Sequence, residues 1–187
     1  MTQTAPLYAR VMGESWTQLA EPVRCVHRTQ SRTRARGHLR IAHGRHGLAR
    51  SIAWILRLPR PGAGARTRLN VTARGDGEHW ERTFDGRRFD TRQYESPQSE
   101  LAERYGVLEF RFRLDATGGS LLYVQREAAF LFGLLRLPIP ARWAPRVEAR
   151  EDPAGPKRVK IDVRVVLPGV GLLIAYDGII EVEDAAP

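Results

Sequence analysis

The chain has 187 residues, enough for one domain with its own core, and its lone Cys25 excludes an internal disulfide and a cysteine-cluster zinc site. The formal charge of +9 and a pI near 10.7 raise the question of a polyanion partner, yet all cations except Lys157 and Lys160 are arginines scattered along the chain. No secretory leader pattern opens the sequence, and the longest nearly apolar run, 165–176, is shorter than a spanning helix of roughly 18–20 residues, so a soluble protein of the reduced cytoplasm is expected.

Over residues 6–20, Leu7, Tyr8, Val11, Met12, Trp16 and Leu19 recur at three-and-four spacing, which predicts an amphipathic helix lying on something apolar. Pro22 suits the first turn of a short continuation that carries Val23, Val26 and His27. The acid-free run at Arg28, Arg32, Arg34 and Arg36 is either a polyanion site or a solvated strand edge. No aromatics interleave with it, which weakens a reading as a base-stacking surface and makes nucleic acid an unexpected partner. A second helix is predicted at 46–57, with Leu48, Ile52, Ile55 and Leu56 on one face and Pro59 as its stop.

The rest alternates. Leu69, Val71 and Ala73 interleave with polar residues, a glycine turn follows at 75–77, and Trp80, Arg82 and Phe84 share the next phase before Asp85-Gly86 turns again. Leu108, Phe110, Phe112 and Leu114 form another phase, then a turn at 117–119 and a strand at 120–127. The last third gives strands at 145–151, 159–167 and 172–182. The sum is an α+β chain: a strongly curved, mainly antiparallel sheet or barrel of seven to nine strands. A helical N-terminal segment (about 6–27) and one or two short helices cover or plug a sheet-rich body (about 33–183).

Two heptapeptides, ILRLPRP at 55–61 and LLRLPIP at 134–140, lie 79 residues apart, and each ends an apolar stretch, 48–55 and 128–135, that reads as helical. A strand, short helix, hairpin unit used twice would explain them; so would convergence on Leu-Pro as a helix stop.

Polar side chains that share the inward phase are the informative ones, because a buried charge without a partner is costly. They are His43, Arg82, Arg126, Glu151 and Tyr176. The strand at 120–127 has two plausible inner faces, so Tyr123 and Glu127 stand as alternates. No phosphate loop, nucleophile elbow or metal-ligand spacing is present, and His43 and His46 read as a loop pair, so neither a metal nor a cofactor is expected.

The segments LYARVMG at 7–13, Trp16, VRCVH at 23–27, LRLP at 56–59, WERTFDG at 80–86, YGVLEFRF at 105–112, LPIP at 137–140, APR at 144–146 and LPGVGLLIAYDG at 167–178 together resemble domain-of-unknown-function family 4166. That resemblance implies no established activity. Similar proteins stand alone or follow a nicotinamide-binding reductase-like domain, which implies a separate reductase-type protein as a conceivable partner here. It singles out His27, Trp80, Arg82, Arg146 and Tyr176.

The leading functional expectation is a cavity that holds a hydrophobic, anionic small molecule of isoprenoid, polyketide or acyl type, bound by Arg82, Arg126, Trp80, Tyr123, His43, His27 and Arg146. The first alternative is a cofactor-independent isomerase or cyclase in which Glu151 or Glu127 moves a proton and Tyr176 steadies charge. The second is a polyanion or anionic-membrane binder using the outer basic face.

Overall fold

The protein is described here from a computed structural model covering residues 5–29, 31–133 and 135–183. The N-terminal segment forms α1 (Leu7–Met12), a 3-10 turn (Gly13–Gln18) and α2 (Glu21–His27). It breaks after Met12 because Gly13 takes a left-handed backbone (φ 55°), so the stripe read as one helix over 6–20 is a helix and a tighter turn. Then come β1 (Arg32–Ala42), α3 (Gly47–Ile55), β2 (Gly62–Arg74), β3 (Gly77–Phe84), β4 (Arg87–Glu95), β5 (Leu101–Tyr105) and β6 (Leu108–Thr117). The chain finishes with β7 (Ser120–Phe132), β8 (Leu135–Pro138), β9 (Arg146–Gly155), β10 (Arg158–Leu167) and β11 (Gly171–Val182).

Ten strands close into an antiparallel barrel in the order β1-β2-β3-β4-β5-β6-β7-β9-β10-β11, with β11 back on β1; β8 pairs only with β7, outside the closed wall. Closure leaves the wall without an open edge. Period-two patterning builds it: Leu69 and Val71 on β2, Trp80 and Phe84 on β3, and Ile174 and Ile180 on β11 are buried, while Arg66, Arg68 and Arg88 stay outside. Tight turns with left-handed residues, Asp85-Gly86 (φ 49° and 83°) and Gly118-Gly119 (φ 59° and 84°), join neighbours as the Asp-Gly and Gly-Gly pairs require. The wall has more strands than the seven to nine expected, because β4 and β5 carry polar residues on both faces and their alternation is weak.

Three expectations are corrected. The apolar stretch 128–135 is no helix: β7 runs to Phe132 and folds back through Gly133 (φ 62°) into β8, with Leu134 outside the described residues. The two heptapeptides therefore sit in unlike places, one ending α3 and one in a strand, and no repeated strand, helix, hairpin unit exists among the described residues. Helix α3 buries its small residues, Ala49 and Ala53, while Leu48 and Ile55 face outward; its Gly44 approach, where the amide bonds Leu172 O at 3.1 Å, leaves room for nothing larger.

Strand polarity gives the barrel two different ends. The starts of β1, β3, β5 and β7 surround the end covered by α1, the 3-10 turn and α2, where Ala20 N bonds Gly119 O at 2.9 Å and Arg10 reaches Asp76 O at 2.6 Å. The opposite end gathers α3 and the following loop, the β5–β6 turn, the β7–β8 hairpin and the loop before β9.

Candidate functional site

Inside the wall lies a cavity of about 170 Å³ whose lining is mostly aliphatic and aromatic. It reaches from Trp80, Tyr123 and Glu151 near the plugged end to Leu56, Leu108 and Pro145 near the other. An apolar cavity of roughly 150 Å³ holds a benzene-sized molecule, so a longer ligand has to extend toward the second end.

At the plugged end the polar groups form one connected chain. His27 arrives on the last turn of α2 and is fully buried, its ring 3.8 Å from that of Tyr8 and 5.4 Å from Trp80. Its Nε2 lies 2.8 Å from Glu151 Oε2, and Tyr123 donates to Glu151 Oε1 at 2.9 Å. The Tyr123 hydroxyl is 3.0 Å from that of Tyr8, which donates to Gln93 Oε1 at 2.8 Å. Burial pushes the Glu151 carboxyl upward, but the facing His27 and the hydrogen bonds of His27 and Tyr123 outweigh it and hold the pKa below the ordinary carboxylate value. Glu151 is thus ionised, can only accept, and takes a proton-bearing Nε2 from His27; His27 Nδ1 has no partner among the described residues. Burial, followed by the charge of Glu151, lifts both Tyr8 and Tyr123 well above the ordinary phenol, so both remain protonated donors.

Deeper along the wall, Arg82 lies with its guanidinium 4.9 Å from the Trp80 ring, donating to Thr91 Oγ1 at 2.8 Å and more loosely to Glu103 at 3.4 Å. Burial opposes its charge and Glu103 restores it, leaving the pKa above the usual value. Tyr176, on β11, also faces the cavity. Burial takes its pKa up to about 12 against the pull of Arg82, and its hydroxyl makes no hydrogen bond among the described residues.

Of the residues chosen from the sequence, Arg82, Trp80, Glu151, Tyr176, Tyr123 and His27 are brought together on the inner wall or its plug. Four are not. Arg126 points out, its side chain 55% exposed and 3.7 Å from Glu100, because Tyr123 and not Val124 takes the inward phase of β7; it is also the extra residue of a β-bulge between the pairs Arg111–Glu127 and Phe112–Gln125. The same bulge ends the inward phase of Tyr123 before Glu127, which pairs outside with Arg136 at 2.7 Å. His43 ends up past β1, its Nε2 2.8 Å from Pro59 O, and Arg146 is exposed at the start of β9. His46 caps α3, its Nδ1 accepting from Leu48 N at 3.3 Å. Tyr8, Gln93 and Glu103 were missed: Tyr8 read only as helix stripe, and the other two lie on the weakly alternating β4 and β5.

Glu78, also missed, is the counterpart to Glu151. It is buried, takes the Trp80 indole N–H at 2.9 Å on one oxygen, leaves the other unpartnered, and burial lifts its pKa above 4.5. The two carboxyls give opposite pH slopes. Glu151, with a lowered folded pKa, contributes stability that is complete above its ordinary value of 4.5 and is lost as pH falls through the folded pKa; ionising Glu78 costs stability as pH rises above 4.5. Urea midpoints measured across the acid range should therefore fall steeply below pH 4.5 in the native chain and less steeply in Glu151→Gln, whereas Glu78→Gln should raise the midpoint at neutral pH.

Among the described residues no three or more His, Cys, Asp or Glu side chains are grouped to hold a metal ion, and no helix is long and apolar enough to cross a membrane. The model of the domain of unknown function DUF4166 matches residues 19–180 of the 187. The chain belongs to the DUF4166 family. That span takes in every strand of the DUF4166 barrel except the last residues of β11, and leaves α1 with Tyr8 ahead of it. No curated protein and no solved structure matches the chain.

Proposed function

We propose that the DUF4166 barrel binds a hydrophobic small molecule with an anionic head group, of isoprenoid, polyketide or acyl type, in its lumen. The observation that carries this reading is the pairing of Arg82 and Tyr176 on the cavity wall. Arg82 has more donors than its two contacts use, and Tyr176 offers an unspent O–H beside it. A carboxylate or phosphate placed there replaces the loose 3.4 Å contact to Glu103, while the aliphatic and aromatic lining takes the apolar body. The setting is a reduced cytoplasm, and any redox step would belong to a separate reductase-type protein.

A titration with parinaric acid, a slender fluorescent polyene carboxylate, tests this: saturable one-to-one binding is expected, weakened by Tyr176→Phe. Binding that does not saturate, or is unchanged by Tyr176→Phe, argues against it.

The His27–Glu151–Tyr123–Tyr8 chain favours a second reading, a cofactor-independent isomerase or cyclase, since an ionised carboxylate between two donors is the protonation state of a general base. In that reading Glu151→Gln abolishes turnover of a bound polyene or isoprenoid while leaving its binding intact; turnover that survives the change excludes Glu151 as the base.

A further inference from the structure

Nine of the ten large hydrophobic residues exposed among the described residues lie at the end of the barrel opposite the plug; the tenth, Ile179, is on the outer wall. They come from four separate pieces of chain. Helix α3 presents Trp54 (78% exposed) and Ile55 (67%), the β5–β6 turn Val107, the β7–β8 hairpin Phe132 and Leu135, and the loop before β9 Trp143 (62%). In the hairpin, Phe132 pairs with Leu135 and Phe130 with Leu137, so both strands turn apolar groups to one face. Helix α3 is built against the usual rule, with Ala49 and Ala53 buried toward the barrel and Leu48, Trp54 and Ile55 turned away, Ile52 alone of its large residues packing on the core. A water-facing surface has no use for this arrangement.

The same pieces are free of acid. No Asp or Glu occurs in 43–61 or 128–147, and Arg45, Arg50, Arg57, Arg60, Arg142 and Arg146 are exposed there without an ion pair among the described residues. Elsewhere on the outer wall carboxylates are interspersed, and several arginines meet them, as Arg88 does with Glu81 and Asp90 and Arg40 with Asp177, although others such as Arg66 and Arg68 have no ion pair among the described residues.

We infer that this end docks onto an anionic lipid bilayer, the aromatic and aliphatic groups entering the headgroup region and the six arginines meeting lipid phosphates. Tryptophan beside arginine is the chemistry of the membrane–water interface, and about 1 kcal/mol per cation near an anionic surface is a usual gain, a factor of roughly five. A second copy of this chain would bring six unpaired cations against six more, which disfavours self-association through the same face. The wall itself stays outside the membrane, since its outer face is charged and its lumen apolar, the reverse of a spanning barrel. The inference deepens the proposed lumen function in one respect: the cavity lining approaches this end at Leu56, Leu108 and Pro145, so the bilayer is both the docking surface and the source of the apolar ligand.

The experiment is co-sedimentation and tryptophan fluorescence with phosphatidylcholine vesicles, with and without phosphatidylglycerol, at low and physiological salt. Binding to the phosphatidylglycerol vesicles is expected, with a blue shift from Trp54 and Trp143 and a steep decline in salt. Trp54→Ala combined with Trp143→Ala should weaken it roughly tenfold or more, and Arg50→Gln with Arg57→Gln by a similar factor. All four positions are exposed, and retained parinaric acid binding in solution shows the fold intact. Arg82→Met should bind vesicles like the native chain, which separates failure of the docking surface from failure of the lumen reading. Three results would overturn the inference: no association with either vesicle at low salt, association that the tryptophan pair does not change, or a concentration-dependent dimer that the same pair abolishes.

Discussion

Replacing His27 by alanine is expected to lower the unfolding free energy by about 3–5 kcal/mol, the usual cost of leaving a buried charge, here the Glu151 carboxylate, without its partner. The side chain is wholly inaccessible, and it supplies both the 2.8 Å partner of Glu151 and the surface on which the Tyr8 ring stacks. Its loss leaves an ionised carboxylate with only Tyr123 to answer it and a void beneath α1. For a chain of this length the melting temperature should drop by on the order of 10 °C. The double variant His27→Ala with Glu151→Gln should recover part of that loss, because the stranded charge is gone. If the double variant is as unstable as the sum of the two single ones, the pair is not coupled and the plug is held by packing alone.

Arg82→Met is expected to weaken binding of an apolar carboxylate roughly ten- to a hundredfold, the worth of about 1.5–3 kcal/mol for hydrogen bonds to a charged group. The companion variant separates recognition from stability. Glu103 competes for the same guanidinium through a 3.4 Å contact, so Glu103→Gln should tighten binding while Arg82→Met loosens it. An internal pair with no ligand role would instead make both variants equally indifferent to the carboxylate. Calorimetric titration of the two variants beside the native chain measures this, and a neutral alcohol of the same chain length should distinguish them less.

The barrel was legible wherever one face of a strand was buried and the other wet. Leu69-Val71, Trp80-Arg82-Phe84, Val147-Ala149-Glu151 and Ile174-Tyr176-Ile180 declared their inward phase in the sequence, and that phase alone delivered Arg82, Glu151 and Tyr176 to the lumen. It failed where the backbone stops counting in twos. One unpaired residue at Arg126 reverses the phase of everything after it in β7, and an insertion of that kind leaves no mark in hydropathy. The stretch Ala128 to Phe132 read as helix because it is apolar on both faces; it is a strand in which Ala128 and Ala129 are both buried and Phe130 and Phe132 share one apolar face of a hairpin. Helix α3 misled in part: Ile52 and Leu56 of the expected face pack against the core, but Leu48 and Ile55 turn away from the barrel and Ala49 and Ala53 take the buried side. Both errors assumed that a hydrophobic side chain identifies the buried face, and both fall at the end where the surface itself is hydrophobic.

Filling the lumen tests its use most directly. Val163 lines the cavity between Ala149 and Tyr176 on the neighbouring strands, so Val163→Trp puts an indole where the apolar body of a ligand would lie. With circular dichroism and the melting curve confirming a folded barrel, and Val163→Phe as the milder variant should tryptophan overpack, the native chain should bind parinaric acid and the filled chain should not. Equal affinity in the native and filled chains would place the bound molecule elsewhere and contradict the lumen as the site.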